Sequence, residues 1–355
     1  MSMKKILVIA STPFLNDGLT KIEMDVIEYI KNCIEVEVAS GFGFDNVFGR
    51  KLRQLGVPCY KISDKRHFLC YMFDIFRIVK SNKYDKVYIH GNSAMMFFEA
   101  LPAKAAGAVI VTHCHNTKTN YPIIHYTIKP FFNLIVDEKI GCSSAASKWA
   151  YSGNGIKTIN NGIDIVKFQF DMQDRLKIRK DLEWENKKII GHVGRFNRQK
   201  NHLKLLNVFG EMYKKDQSCR LLLIGDGELK NRINSVIRSN NMENLVKIIP
   251  FTEFPQKFMS AMDIMIIPSI YEGLCLVALE AQANGLPVLI SDTQTPETVA
   301  TDIAYKNKLD ENDMVWASEA FRIIKQGRKN VTQQLIHKKF NYDDMLEEIK
   351  KILLK

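Results

Sequence analysis

Two carboxylates, Glu272 and Glu280, flank a glycine in the run Tyr271-Glu272-Gly273-Leu274-Cys275-Leu276-Val277-Ala278-Leu279-Glu280. This spacing puts one acid near a reacting group and lets the other reach the far half of a ligand. Three cations stand in a second glycine-bearing run, Gly194-Arg195-Phe196-Asn197-Arg198-Gln199-Lys200. Arg195 offers a planar fork to a phosphate and Lys200 a compact charge. Such a pair stabilises negative charge as it develops on a diphosphate leaving group. Gly194 lets a ligand approach the backbone closely. The alternatives are solvated acids on an ordinary strand–helix unit and a basic helix cap at the surface.

Both runs need the same scaffold. Asp263-Ile264-Met265-Ile266-Ile267-Pro268-Ser269 reads as a buried strand ending in a loop, followed by a helix that carries Glu280 and stops at Asn284-Gly285. A helix beginning at a strand's carboxyl end directs free N–H groups and a positive dipole end at an anion. Lys188–Val193 is likewise a strand running into Gly194. Further strands are expected at Lys5–Ala10, Val36–Ala39, Lys86–His90, Ala108–Thr112 and Lys139–Cys142, and at Arg220–Ile224, Val246–Ile249, Ile264–Ile267 and Pro287–Ser291. Strands alternating with helical patterns predict parallel sheets with both faces covered. The fold class is therefore α/β, with two Rossmann-like doubly wound domains facing a central cleft. The expected division is 1–165, 166–335 and a carboxyl-terminal helix over 336–355.

The two runs resemble the Glu-x7-Glu and Gly-Arg-x4-Lys motifs of retaining glycosyltransferases of family 4, which have the GT-B fold. The linker Asn160-Asn161-Gly162-Ile163-Asp164-Ile165-Val166-Lys167-Phe168 resembles that family's Pro-Asn-Gly-Ile-Asp-x3-Phe, with Asn160 replacing Pro. Its physical sense is a turn, with Asp164 capping backbone. The resemblance spans nearly the whole chain and implies roles. Arg195 and Lys200 hold the diphosphate, and Glu280 binds the ribose. Glu272 and the N–H groups around Gly273, Leu274, Cys275 and Leu276 hold the sugar. Gly225 and Gly227, in Gly225-Asp226-Gly227-Glu228, would lie beside the base.

The amino-terminal half carries looser signals. His113-Cys114-His115-Asn116 follows a strand and is similar to a His-x-His-Asn of bacterial surface-polysaccharide transferases. His115 is the preferred functional residue, to hydrogen-bond the donor sugar or orient the acceptor, and His113 the second. The alternative is one buried and one solvent-facing histidine. No carboxylate or thiol stands at convincing spacing for a metal site. Gly18, in Asn16-Asp17-Gly18, stands where relatives bring glycines close to the diphosphate, and Asp17 would point instead at an acceptor hydroxyl.

Composition narrows the class. With 355 residues, 46% hydrophobic and 25% charged, the chain is an ordinary soluble globular protein of two-domain size. It has no apolar run of membrane-spanning length. The opening Met1–Ala10 reads as a first strand rather than a signal peptide. Seven scattered cysteines without a C-x-x-C pair point to a reducing cytoplasm and away from zinc or disulfides. The net charge of +11 favours a polyanionic partner, and no nucleic-acid motif accompanies it. Lys61–Lys80 and Tyr121–Phe132 mix cations with aromatic residues. They suit either an anionic membrane surface or an amphipathic core helix.

The expected protein is thus a metal-independent retaining hexosyltransferase that moves a sugar from a nucleotide sugar, a UDP-sugar by preference. By resemblance the acceptor is a lipid-linked oligosaccharide for a bacterial capsule or exopolysaccharide. No cofactor is expected beyond that donor. The location expected is cytoplasmic, peripheral on the inner face of the plasma membrane. The rival readings are a GT-B nucleotide-sugar epimerase or hydrolase and a non-catalytic nucleotide-sugar-binding partner.

Overall fold

A computed structural model describes residues 4–14, 18–44 and 47–355. Asp17, expected at an acceptor hydroxyl, lies outside the described residues. The chain divides into two compact units, one of 1–161 with 343–355 and one of 162–342.

The first unit holds β1 (Lys5–Ala10), β2 (Glu35–Ser40), β3 (Cys59–Lys61), β4 (Lys86–Gly91), β5 (Val109–Cys114), β6 (Glu138–Gly141) and β7 (Ile156–Thr158). They form one sheet in the order β3-β2-β1-β4-β5-β6-β7, every pair parallel. The second unit holds β8 (Lys188–Val193), β9 (Cys219–Ile224), β10 (Val246–Ile249), β11 (Ile264–Ile267), β12 (Val288–Ser291) and β13 (Ala304–Asn307). Their order is β10-β9-β8-β11-β12-β13, again parallel throughout. The ten expected strands are all present. The three unforeseen ones, β3, β7 and β13, are short and lie at sheet edges, where no continuous apolar run is needed.

Strand order reverses between β1 and β4 in the first sheet and between β8 and β11 in the second. In open parallel sheets ligands gather at the carboxyl ends of the strands flanking such a reversal. The runs that carry Arg195 with Lys200 and Glu272 with Glu280 follow β8 and β11, the two strands at the second reversal.

The division between units falls at Asn161 and Gly162 rather than at 165/166. The helix Tyr342–Leu354 lies almost wholly in the first unit, where Ile349 and Leu353 are buried and Lys86 Nζ donates to the Ile352 carbonyl at 2.6 Å. Asp164 serves the turn: its Oδ1 accepts from the Lys167 N–H at 2.9 Å. The charged stretch beyond it folds as the helix Met172–Asp181, which Arg175 and Arg179 pin to Asp263 at 2.7 and 2.6 Å.

Candidate functional site

β8 ends at Val193, and the chain then loops through Gly194–Asn201 before the helix His202–Lys215. The loop is fixed to its neighbour on the β9 side. The Gly194 N–H donates to the Ile224 carbonyl at 2.9 Å, and the Phe196 N–H to the Asp226 carbonyl at 2.8 Å. Gly225 and Gly227 permit this approach. They take φ of +145° and +158°, and a Cβ would stand 2.1 Å from the Gly194 oxygen and 2.5 Å from the Phe196 oxygen. Both glycines are therefore required to seat the cationic loop, whatever they offer a base.

On its other side the loop is joined to the segment after β11. The Ile270 N–H donates to the Gln199 carbonyl at 2.8 Å. Gln199 Nε2 donates to the Tyr271 carbonyl at 3.0 Å and to Glu272 Oε2 at 3.1 Å. Lys200 Nζ reaches Glu272 Oε1 at 2.8 Å, with both side chains mostly buried. Two strand ends thus present one cation–carboxylate pair, with Gln199 as the strut between them. Gln199 was not singled out in the sequence, because its role depends on which strand lies beside β8.

The second acid arrives on the helix Leu276–Ala283, which ends at Asn284 as expected. Glu280 is buried, about one turn beyond the helix start. Cys275 stands at the N-cap and makes no side-chain cap bond. Its buried thiol reports the local charges: burial pushes it up to about 12, Lys200 opposes the rise, and Glu272 and Glu280 add to it. Lys200, Glu272 and Glu280 thus all act electrostatically on the Cys275 thiol at the head of this helix. Gly273, Leu274, Cys275 and Leu276 are all buried there, with Gly273 preceding the first helical turn. Arg195 stands apart: its partly exposed side chain leans on Glu228 of the loop after β9, Nε to Oε2 3.3 Å.

The histidines occupy the first unit. His113 and His115 end β5 and continue beyond it, and both are buried, so the alternative of one buried and one solvent-facing ring does not hold. Their backbone explains it: the His115 N–H donates to the Gly91 carbonyl at 2.9 Å, extending the ladder past the strand. His90, on the neighbouring β4, joins them. His90 Nδ1 lies 3.0 Å from His115 Nε2, and Tyr88 Oη 2.9 Å from His113 Nδ1. Burial pushes all three imidazoles down, His115 to about 3, and the nearby rings lower His90 and His113 further. Their ligand atoms lie within 4.8 Å of one another, the crowding of a three-nitrogen metal site. Two of these histidines stand two residues apart in the sequence; the third is supplied by the pairing of β4 with β5. Gly18 begins the helix Gly18–Ile30 after β1.

Unlike those inward groups, the helix Pro122–Ile135 turns an apolar face to solvent. Ile123 and Leu134 are each 81% exposed, with Tyr126 and Phe131 beside them on that face. Leu69 and Phe73 are exposed on the helix Phe68–Asn82. Lys129 is spent on the carbonyls of Lys148 and Trp149, at 2.9 and 2.7 Å, rather than held out to a partner. Among the described residues no helix is long and apolar enough to cross a membrane.

Comparison with known proteins places these features. Residues 174–330 match the family described as Glycosyl transferases group 1. The chain is 30% identical over 281 residues to the protein named glycosyltransferase EpsF of Bacillus subtilis (strain 168), covering 73% of this chain and 71% of that one. It is 24% identical over 241 residues to the UDP-Gal:alpha-D-GlcNAc-diphosphoundecaprenol alpha-1,3-galactosyltransferase of Escherichia coli, covering 62% of this chain and 61% of the relative. Among solved structures, Anabaena Alr3699/HepE in complex with UDP superposes with a TM-score of 0.82 at 18% identity, over 99% of this chain and 100% of that one.

Proposed function

The chain belongs to the group 1 glycosyltransferases, and from that premise we propose that it is a retaining enzyme of family 4 that moves a sugar from a UDP-sugar to a lipid-linked oligosaccharide. The fold is GT-B, with two parallel-sheet Rossmann-like units. The observation that carries the proposal is the Lys200–Glu272 pair, braced by Gln199 at the strand-order reversal, with Glu280 on the helix that follows Glu272.

In the reaction proposed, Lys200 and Arg195 take the diphosphate, and their charges meet the negative charge that builds as the glycosidic C–O bond breaks. Lys200 exchanges its carboxylate for phosphate oxygen. That exchange frees Glu272 to accept hydrogen bonds from the sugar. The N–H groups at the head of Leu276–Ala283, whose N-cap Cys275 makes no side-chain cap bond, add to the hold. Glu280 accepts from the ribose hydroxyls. The acceptor oxygen attacks from the face the diphosphate leaves, giving its proton to the departing phosphate oxygen, so the anomeric configuration is kept. The two cations do the work that a metal ion bound to the diphosphate would otherwise do. In the first unit, His115, with His113, contacts the saccharide.

The acceptor reading draws on the E. coli relative, whose name specifies a diphosphoundecaprenol-linked saccharide. The donor reading draws on the same name and on the UDP bound in HepE. The exposed strip Ile123, Tyr126, Phe131 and Leu134 supports peripheral attachment to an anionic membrane, where a lipid-linked acceptor is met. The inner, cytoplasmic face is the one proposed, in capsule or exopolysaccharide synthesis. Thermal shift with UDP, GDP and ADP tests the donor: UDP is expected to stabilise most, and a response to GDP alone would overturn that choice. The anomeric configuration of the product, read by proton NMR, tests retention.

A further inference from the structure

We infer that His90 is a positioning residue, whose Nδ1–H fixes the tautomer of His115 so that His115 Nδ1 carries a proton ready for a saccharide oxygen. This rests on the reading of His115 as a saccharide contact and adds to it a residue with no contact of its own.

The geometry is that of a direct hydrogen bond. His90 Nδ1 and His115 Nε2 are 3.0 Å apart. The ring planes differ by only 13° with centroids 5.2 Å apart, so the rings meet edge to edge in nearly one plane. Each nitrogen is aimed at the other. Lone pairs directed in this way do not converge on a third point, as the ligands of one metal ion must. Both rings are neutral near pH 7, because burial opposes their charging. A neutral imidazole has one N–H and one lone pair. One proton therefore lies between the rings, and one more must sit on an outward nitrogen, either His90 Nε2 or His115 Nδ1.

Among the described residues neither of these two buried nitrogens has a hydrogen-bond partner. An orphaned buried N–H is rarer than an orphaned acceptor, so the proton belongs where a ligand can meet it. His90 is fully buried, whereas His115 lies nearer the surface with 8% exposure, although its Nδ1 is itself covered. The pattern that leaves the unpaired N–H on the residue nearer the surface is His90 Nδ1–H donating to His115 Nε2, with His115 Nδ1–H kept for a ligand that reaches this ring. His115 then enters the reaction as a hydrogen-bond donor of fixed direction. Its partner is an oxygen of the sugar rather than a hydroxyl proton. Without His90 both tautomers compete, and the ring is free to turn.

The test uses the full chain labelled with 15N-histidine and the variants His90→Leu, His90→Asn and His115→Ala. Long-range 1H–15N spectra of the ligand-free protein are expected to show His115 protonated at Nδ1. That signature should be lost in His90→Leu and kept in His90→Asn, whose amide still offers an N–H. With UDP-glucose and UDP-galactose as probes, His90→Leu should slow UDP release about five- to fiftyfold, with UDP affinity unchanged, and His90→Asn should recover most of the rate. If His115→Ala slows UDP release while a folded His90→Leu does not, the positioning role is wrong and the saccharide contact stands. If His115→Ala has no effect, the saccharide contact itself fails. A wild-type His115 protonated at Nε2, or a Co2+ absorption band lost in His90→Leu, would overturn the hydrogen-bonded pair.

Discussion

Replacing Lys200 by methionine separates what this residue does for the fold from what it does for the ligand. The side chain is 17% exposed and Glu272 9%, and they meet at 2.8 Å. Removing one partner of a buried pair costs about 3–5 kcal/mol. Here Gln199 Nε2 still donates to Glu272, and the pair is not fully dry, so about 2 kcal/mol is expected. For a unit of this size that lowers Tm by about 4–8 °C. A hydrogen bond to a charged group is worth about 1.5–3 kcal/mol, so the UDP dissociation constant should rise about 10- to 150-fold. Glu272→Gln separates the two effects. In Lys200→Met/Glu272→Gln no charge is left unpaired, so stability should return to within about 1 kcal/mol while UDP affinity stays low. Glu272→Gln alone should bind UDP at least as tightly as the parent, because Lys200 is no longer held, and transfer should fall. Calorimetric titration with UDP and thermal melts supply both readouts. A folded Lys200→Met protein with UDP affinity within twofold of the parent would refute the assignment of Lys200 to the diphosphate.

Four further outcomes are expected. Glu280→Gln should weaken UDP binding about tenfold but leave binding of inorganic pyrophosphate unchanged, since only the nucleoside end loses a partner; equal losses for both would place Glu280 elsewhere. Gly225→Ala should destabilise the second unit by several kcal/mol and abolish UDP binding, because its Cβ would stand 2.1 Å from the Gly194 oxygen; a normal melt would show that the loop yields. Burial pushes His192 and His202 down to about 4 and about 2. Their stabilising effect is complete above the unfolded value of about 6.5 and falls with pH by about 1.4 kcal/mol per unit for each residue. Among the described residues neither ring nitrogen of His202 has a hydrogen-bond partner, so His202→Leu should cost little at pH 7.5 and reduce the acid sensitivity of urea midpoints down to pH 5; an unchanged slope would contradict this. Ile123→Glu/Leu134→Glu should reduce retention on vesicles containing anionic lipid at low salt, without changing UDP affinity, and undiminished retention would remove that face from the membrane reading.

The order of strand, loop and helix around Glu272 and Glu280 was legible in the sequence because the signals are local. Ile264–Ile267 is an unbroken apolar run, Gly273 opens the loop, and Asn284-Gly285 stops the helix. The ten expected strands were legible for the same reason: most carry a run of apolar residues, as a strand covered on both faces does. Gly225 and Gly227 were visible as residues, but their task was not, since a close approach involves a second segment of chain. The sequence also gave no sign that Arg195 would lean on Glu228 while Lys200 turned to Glu272.

What the sequence determined by itself was the α/β alternation and the types of chemical group at each strand end. Only the tertiary structure decided which ends became neighbours. The order β10-β9-β8-β11-β12-β13 sets Lys200 beside Glu272, and the β4–β5 pairing sets His90 against His115. The physical reason is range: propensity, capping and hydrophobic periodicity act over a few residues, whereas sheet order is settled by burial of the whole sheet under its helices. A hydrogen bond between side chains on adjacent strands forms only after that order exists.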